Sequence, residues 1–241
     1  MNLSPDPFGT AVMDFSEGKH DPVIQVSSNL GEDIETIPVP YLFRSWEEMP
    51  EKEKFALSLT KGHILDVGAG AGSHALALQQ QDKDVTALDR SALCCKTMQA
   101  RGVNNVIQQN FFQLEESEQY DTLLFMMNGF GLAGTLNGLE YFFQKCKKLL
   151  KPGGRIIGES ADIIYMFEDE EEEGAYLIDL NGDYYGEVSY QMHYKGLTSE
   201  VFPWLYVSLD LLTEAAEKVG FSLLDHYEGE ENDFMACFVL N

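Results

Sequence analysis

Basic residues are scarce in this 241-residue chain, where 16 lysines and arginines stand against 40 aspartates and glutamates. The formal net charge at pH 7 is therefore −24. A surface of that sign repels a polyphosphate backbone, so we do not expect nucleic acid to be a substrate or partner. The same field attracts cationic ligands weakly, although acidity more often serves solubility.

Cysteines are also few, and their spacing fits neither a zinc site nor a secreted disulfide framework. They are Cys94, Cys95, Cys146 and Cys237. We therefore expect no bound metal, reduced and mostly buried thiols, and a cytoplasmic location. The first residues lack the positively charged stretch and apolar run of a secretory signal, which agrees with that expectation.

Long apolar runs are almost missing. Residues 122–139 carry no charge and place Gly134 and Gly138 at the spacing of a membrane-helix pair. The same run contains Asn128, Asn137 and further glycines, which favour a strand, a glycine-rich loop and the start of a helix. We expect no membrane span.

Apolar runs of strand length alternate with helical stretches through the middle of the chain, which predicts parallel strands joined by helices. The predicted strands are His63–Val67, Val85–Leu88, Asn105–Gln109, Tyr120–Met126 and Arg155–Glu159. The predicted helices occupy residues 50–62, 72–81, 91–102 and 139–150. A last helix near residues 208–220 is followed by two strand-like runs, Phe221–Tyr227 and Phe234–Leu240, which predict an antiparallel hairpin.

Two parts of the chain break this rhythm. The first forty residues contain five prolines and no strong period, which predicts a cover segment at residues 1–45 that drapes over the core. Residues 46–241 then form the main domain, with an antiparallel insertion at about 162–207. The insertion is predicted because three strand-like segments follow one another without helices between them: Tyr176–Leu180, Glu187–Tyr194 and Phe202–Val207. The acidic run Glu168–Glu173 is predicted to be a loop.

The most informative stretch is Ile64-Leu65-Asp66-Val67-Gly68-Ala69-Gly70-Ala71-Gly72-Ser73. A buried strand ends, the chain turns on glycines that admit a ligand against bare backbone, and a helix begins. That arrangement should point free N–H groups and a positive helix end at one place. A dinucleotide fingerprint needs its third glycine where this chain has Ser73, so the spacing argues against a nicotinamide site.

This stretch resembles the first motif of the S-adenosylmethionine-dependent methyltransferases of the Rossmann-like class, in which an acidic residue precedes Gly-x-Gly-x-Gly. Further matches follow in the family's order over residues 60–160: Asp89 after the second strand, Asn110-Phe111 after the third, Tyr120-Asp121 at the fourth and Leu149–Gly154 before the fifth. The resemblance implies a doubly wound α/β fold with a seven-stranded, mainly parallel sheet that ends in a C-terminal antiparallel hairpin.

The resemblance also implies S-adenosylmethionine as cofactor. Its methionine part would lie on the backbone of the glycine loop, with its ammonium facing Asp66, and Asp89 would accept hydrogen bonds from both ribose hydroxyls. Asn110 stands where the family often has aspartate, which weakens its expected bond to the adenine amino group. The implied cofactor residues are Asp66, Gly68, Ala69, Gly70, Gly72, Asp89, Arg90, Asn110, Phe111 and Met127.

The expected reaction is an in-line transfer of a methyl group to an unidentified small molecule or, as a weaker alternative, to a protein. The loop at Met127 lacks the Asn/Asp-Pro-Pro-aromatic signature of enzymes that methylate base or amide nitrogens. Residues expected to touch the substrate are Tyr41, Arg44, Asn128, Tyr165 and His193. Two alternatives stay open, a non-catalytic cofactor-binding subunit with the same fold and a nicotinamide oxidoreductase.

Overall fold

A computed structural model describes residues 4–116, 120–169, 172, 174–179, 182–229 and 232–241. In chain order its elements are α1 (Pro7–Ser16), β1 (Val23–Ser28), β2 (Glu35–Pro38), α2 (Glu51–Ser58), β3 (Ile64–Val67), α3 (Ser73–Gln79), β4 (Val85–Asp89), α4 (Ala92–Arg101), β5 (Asn105–Gln108), β6 (Tyr120–Phe125), α5 (Gly138–Leu149), β7 (Leu150–Ala161), β8 (Glu187–Tyr194), β9 (Leu197–Thr198), β10 (Phe202–Leu205), α6 (Leu209–Val219), β11 (Phe221–Glu228) and β12 (Asp233–Leu240). Short 3₁₀ helices occupy Val39–Phe43, Trp46–Glu48, Phe111–Gln113, Gly129–Ala133 and Ile164–Phe167.

Seven strands form the main sheet in the order β11-β12-β7-β6-β3-β4-β5. The strands from β7 to β5 run parallel, while β12 is antiparallel to both β7 and β11. The predicted fold class and its C-terminal hairpin are therefore confirmed. The chain order reverses between the neighbours β3 and β6, and ligands of such open sheets bind beyond the carboxyl ends of the strands at that point.

Local signals explain the helices around this sheet. The Ser91 hydroxyl accepts a hydrogen bond from the Cys94 amide at the start of α4, and Gly102 ends that helix at φ 95°. Ser208 and Gly220 begin and end α6 in the same way. On α5 the apolar residues Leu139, Phe142, Phe143, Cys146 and Leu149 are all buried, as their three-four spacing predicts.

The fifth parallel strand starts earlier than the sequence suggests. Pro152, Gly153 and Gly154, expected to separate a helix from a strand, lie within β7, which runs from Leu150. Leu150 already pairs with Tyr120 of β6, and the register shifts between Tyr120 and Thr122. The turn-forming residues are therefore absorbed into an irregular stretch of the strand.

A second sheet is antiparallel, in the order β10-β8-β1-β2, with β9 paired to β8. Its strands come from both the N-terminal segment and the insertion, because β1 pairs with β8. The sequence predicts a cover segment over residues 1–45 without assigning elements to it, and the structure forms α1, β1 and β2 there. Of the three predicted insertion strands, the first is wrong: Tyr176 makes only an isolated bridge to Glu168, and Leu180 lies outside the described residues. Part of the predicted acidic loop also lies outside them.

Buried apolar residues cover both faces of the parallel sheet and the space under the antiparallel one. The four cysteines are free and buried. Within the part of the chain that the structure describes, no helix has the length and apolar character needed to cross a bilayer.

Gly72 offers a test of how α3 packs against α4. A Cβ atom there would lie 2.9 Å from Met98 Cγ and 3.0 Å from Val103 Cγ2, at a backbone φ of +83°. We expect Gly72→Ala to lower the free energy of unfolding by about 2–4 kcal/mol, from left-handed strain plus overpacking. Urea denaturation measures this. Gly18→Ala is the control, because Gly18 has φ +81° with nothing within 4 Å of its Cβ position, and it should cost only the strain. Equal losses in the two variants would refute the packing role.

Candidate functional site

The turn after β3 brings the motif glycines to the switch point of the parallel sheet. Its amide groups were expected to be free, and the structure shows that they are not. Gly68 N and Ala69 N donate to Leu88 O at 2.8 and 3.1 Å, Gly70 N donates to Asp89 Oδ2 at 2.9 Å, and Gly72 N donates to Ala69 O at 2.7 Å. The first three of these bonds tie the turn to β4 and the fourth closes the turn on itself. The turn therefore offers a ligand close approach to its bare backbone and not free amide groups.

The three glycines have different surroundings. A Cβ atom on Gly68 would meet nothing within 4 Å, whereas one on Gly70 would lie 3.7 Å from the ring of Phe8. Gly72 is the one that packs against α4. A ligand could therefore enter the space in front of Gly68, with the N-terminal helix α1 as its neighbour, but it could not reach Gly72 in the same way.

Asp66 is buried within β3, just before this turn, with a residue exposure of 1%. Its Oδ2 atom has no hydrogen-bond partner. Burial raises the pKa of this carboxyl group to about 6, although the charge of His74 and the Ala75 amide act in the opposite direction. A buried carboxylate with an unused oxygen is costly in free energy unless a cation or donor meets it.

Asp89 lies at the end of β4 and holds the turn and the next helix together. Its Oδ2 accepts from the Gly70 amide, and its Oδ1 accepts from the Ser91 amide at 2.8 Å. Burial raises the pKa of this carboxyl group. Each oxygen keeps a further lone pair for a ligand. The Ser91 hydroxyl donates to Asp6 Oδ2 at 2.5 Å, which places the start of α1 beside Asp89.

Arg44 takes part in a buried network at the start of α3. Its Nη2 lies 2.5 Å from Glu53 Oε1, and the other carboxylate oxygen of Glu53 lies 2.9 Å from His74 Nε2. The ring of Tyr41 lies 3.4 Å from the guanidinium carbon of Arg44. The Nε and Nη1 atoms of Arg44 are buried without hydrogen-bond partners. The network thus leaves two hydrogen-bond donors of a guanidinium group unpaired, on the side of Asp66 where His74 lies.

A second group of residues lies where β6 and β7 end. Met127 and Asn128 have φ values of 55° and 56°, and the Asn128 amide donates to Glu159 Oε2 at 3.2 Å. Glu159 Oε1 is 2.5 Å from the ammonium of Lys52, which also pairs with Asp233. Both polar atoms of the Asn128 carboxamide are buried without a partner. An unpaired amide in this position suits a polar ligand.

The sequence did not single out two tyrosines of the antiparallel layer, Tyr190 in β8 and Tyr206 just after β10. The hydroxyls of Tyr190 and Tyr206 are 2.9 Å apart. Burial raises the pKa of both, and the charge of Glu35 and the nearby Tyr165 raise each further. The amide of Val207, the residue after Tyr206, donates to Ser160 Oγ at 3.2 Å, which places Tyr206 near the end of β7. No local motif marks them, and only the alternation along β8 puts Tyr190 on its inner face.

Several predicted residues lie elsewhere. His193 is on the opposite face of β8 from Tyr190, bonded to Ser27 Oγ at 3.0 Å, and it lines an outer concavity of about 570 Å³. The structure therefore does not bring His193 to the crevice. Phe111 is 4% exposed and makes its ring contacts with Phe112, Phe125 and Phe142, which makes it a core residue.

The remaining predicted residues follow the carboxyl ends of the parallel strands and differ in how exposed their side chains are. The Asn110 side chain accepts from the Phe112 amide at 2.9 Å, so part of its acceptor capacity is used locally. Arg90 is exposed next to Asp89, and Met127 and Tyr165 are exposed to 39% and 48%. These two exposed side chains are free to meet a ligand.

Comparison with known proteins gives consistent matches. A family model described as a methyltransferase domain matches residues 64–154. The crystal structure of an S-adenosylmethionine-dependent methyltransferase from Bacteroides fragilis, in complex with S-adenosyl-L-homocysteine, is 39% identical, covers 100% of this chain and 98% of its own, and superposes with a TM-score of 0.91. The search of curated proteins found no match.

Two more distant structures share the fold alone. An amino pentose methyltransferase from Micromonospora echinaspora is 15% identical, with a TM-score of 0.58 over 82% of this chain and 92% of its own. A sugar N-methyltransferase from Streptoalloteichus sp. ATCC 53650 is 14% identical, with a TM-score of 0.57 over 89% of this chain and 97% of its own.

The unpaired carboxylate of Asp66 should lower the free energy of unfolding of the ligand-free protein. Because its folded pKa of about 6 exceeds the ordinary 3.8, this group favours folding below about pH 4 and loses that contribution as pH rises through 6. Asp66→Asn should therefore raise the free energy of unfolding by about 2–3 kcal/mol at pH 8, and the gain should vanish near pH 4. Urea denaturation at both pH values measures it.

The matched control is Asp84→Asn, which removes an exposed carboxylate at the opposite end of the neighbouring strand β4. This variant should change the free energy of unfolding little at either pH. A gain for Asp66→Asn that did not depend on pH would contradict the explanation.

Proposed function

The chain belongs to the S-adenosylmethionine-dependent methyltransferases, and we propose that it transfers the methyl group of this cofactor to a small molecule held between its two sheets. The observation that supports this best is the unpaired, buried Oδ2 atom of Asp66 beside the open face of Gly68. That pair of features offers a cation acceptor and bare backbone at one place. The two alternatives considered from the sequence find no support in the comparisons.

The amino-acid end of the cofactor fits the two unpaired buried groups near α3. Asp66 would accept from the ammonium, as the sequence suggested. Arg44, which was expected to touch the substrate, is better placed to donate to the carboxylate through its free Nε and Nη1 atoms, since Glu53 and His74 hold it on that side of Asp66. A zwitterion would then satisfy both groups at once.

The nucleoside end fits the residues around Asp89. Its carboxylate is fixed by the Gly70 and Ser91 amides and can accept from ribose hydroxyls with its remaining lone pairs. Phe8 of α1 forms a wall over Gly70, and Asp6 fastens that wall to Ser91. The N-terminal helix therefore contributes to the cofactor site, which the sequence motif alone did not indicate.

The cofactor supplies a methyl group bound to a positively charged sulfur. The protein has to align the acceptor with that methyl group and keep water out. Asn128 and Glu159 at the ends of β6 and β7, with the exposed side chains of Met127 and Tyr165, line the side from which an acceptor can approach. The antiparallel sheet closes over this side, which favours a small molecule.

Binding measurements can separate the two ends of the cofactor. S-adenosylhomocysteine carries the amino-acid end, and 5′-methylthioadenosine lacks it while keeping the ribose and adenine. Arg44→Met and Asp66→Asn should each weaken S-adenosylhomocysteine about 10- to 100-fold, the usual cost of a lost charge-assisted hydrogen bond. They should leave the affinity for 5′-methylthioadenosine nearly unchanged. Isothermal titration calorimetry gives the dissociation constants.

Asp89→Asn serves as the control, because it should weaken both ligands by similar factors. If Arg44→Met weakened 5′-methylthioadenosine as much as S-adenosylhomocysteine, Arg44 would not belong to the amino-acid end. If no variant changed either affinity, the crevice in front of Gly68 would not be the cofactor site.

A further inference from the structure

The end of helix α4 is bonded to the glycine turn. Arg101 is the last residue of this helix, and its side chain extends to the turn that precedes α3. Its Nη1 atom donates to Ala71 O at 2.6 Å and to Ser73 Oγ at 3.2 Å. Ala71 belongs to the glycine turn, and Ser73 is the first residue of α3. One end of the guanidinium group is therefore bonded to the sequence motif itself.

The other end of the same group is bonded to the cover segment. Arg101 Nη2 donates to Phe43 O at 3.3 Å, and the guanidinium carbon lies 4.6 Å from the centre of the Phe43 ring. The Ser73 hydroxyl donates to Leu42 O at 2.7 Å. These bonds fix the last two carbonyl groups of the 3₁₀ helix Val39–Phe43 against the start of α3. Arg101 thus joins the cover segment to the glycine turn.

The residue that follows Phe43 is Arg44, the proposed donor to the carboxylate of the cofactor. Glu53 bonds its Nη2 atom, whereas its Nε and Nη1 atoms are buried without hydrogen-bond partners. A side chain held at one end keeps its free donors in place only if its backbone is held as well. The bonds to Leu42 O and Phe43 O do this, because they hold the backbone immediately before Arg44.

The nucleoside side of the site is held by other bonds. The first three amides of the glycine turn donate to Leu88 and Asp89 of β4, and Asp89 is fixed further by the Ser91 amide. None of these bonds involves Arg101. Loss of the Arg101 side chain should therefore disturb the amino-acid end of the cofactor and leave the ribose and adenine end in place.

On these grounds, and resting on the proposed methyl transfer, we propose that Arg101 is a positioning residue for the amino-acid end of S-adenosylmethionine. It acts through Arg44. By bonding both Ala71 O and Phe43 O, it holds the cover segment against the glycine turn, so that the free Nε and Nη1 atoms of Arg44 keep their place in the site. Preorganisation of this kind lowers the entropy lost when the ligand binds.

Ligand binding tests this role with two probes that differ at the amino-acid end. Arg101→Met should weaken S-adenosylhomocysteine about 5- to 20-fold, because a displaced Arg44 loses part of its charge-assisted hydrogen bond. The affinity for 5′-methylthioadenosine should stay within about twofold of its original value, since that ligand does not use Arg44. Isothermal titration calorimetry measures both. A contact that only supports the fold would weaken both ligands by similar factors or neither, and either result would overturn the proposal.

A double-mutant cycle shows whether Arg101 acts through Arg44. In the Arg44→Met background, Arg101→Met should weaken S-adenosylhomocysteine by less than about twofold further, because the group that it positions is gone. Losses that simply multiply would show that Arg101 acts independently of Arg44, and they would contradict the proposal.

Gln79→Met is the matched control. Gln79 bonds Gly102 O at 2.9 Å and the Asn104 amide at 3.0 Å, and these bonds hold the end of α4 without involving the cover segment or the glycine turn. The ratio of the two affinities should not change in this variant. A change as large as that in Arg101→Met would trace the effect to the helix end and count against the proposed role.

A smaller change keeps the test available if Arg101→Met does not fold. Ser73→Ala removes the hydroxyl that bonds Leu42 O and receives Arg101 Nη1. It should reduce the preference for S-adenosylhomocysteine over 5′-methylthioadenosine about two- to fivefold. An unchanged preference would contradict the view that the bonds before Arg44 position it.

The unmodified protein separates a failure of this role from a failure of the proposed function. If it binds neither S-adenosylhomocysteine nor 5′-methylthioadenosine, the proposed function is wrong, and the role of Arg101 falls with it. If it binds both and Arg101→Met leaves the ratio of their affinities unchanged, only the role of Arg101 is wrong.

Discussion

A carboxylate buried in the central strand of the sheet, with one oxygen unpaired, is the feature on which the site depends. Asp66 has no access to water, since it is 1% exposed and lies in a strand with β4 on one side and β6 on the other. Burying such a group costs free energy that the fold recovers only when a cation arrives. A residue of this kind lowers the stability of the ligand-free fold and strengthens ligand binding, which is common where a site must be preorganised.

The rest of the cofactor side keeps this group and its surroundings rigid. The amides of Gly68 and Ala69 donate to β4, that of Gly70 donates to Asp89 and that of Gly72 donates within the turn, which holds the turn in place. Glu53 holds Arg44 and His74 at the start of α3, and burial, which alone would raise the pKa of Glu53, is outweighed by these two partners. The carboxylate of Asp66 and the guanidinium group of Arg44 are thereby fixed before a ligand binds, which limits the entropy lost on binding.

Helix α1 connects the two sides of the site. Asp6 at its start bonds to Ser91 next to Asp89, and Asp14 near its end is bonded by the Tyr194 hydroxyl at 2.9 Å and lies 2.5 Å from the Lys195 ammonium. Hydrogen bonds from Lys19 and Lys195 hold the pKa of Asp14 at about 2, so this anchor stays charged over the physiological range. One short helix thus fastens the antiparallel sheet to the residues that follow β4 in the parallel sheet.

Some features can be predicted from the sequence and others cannot. The difference depends on how far apart in the chain the interacting residues are. Ser91, Gly102 and residues 64–73 act on neighbours a few positions away, so their roles could be predicted from the sequence alone. The pairing of β1 with β8 joins segments more than 160 residues apart, and no local pattern specifies it. That is why the sequence does not predict β1 and β2, and why it places His193 near the substrate although this side chain lies on the outer face of β8. The same argument applies within the site region: Asp66 to Asp89 form one contiguous stretch, whereas the contacts of Asn128 with Glu159 and of Ser160 with Val207 arise only through the fold. Structures at 14–15% identity share the fold, and a shared fold does not fix the substrate.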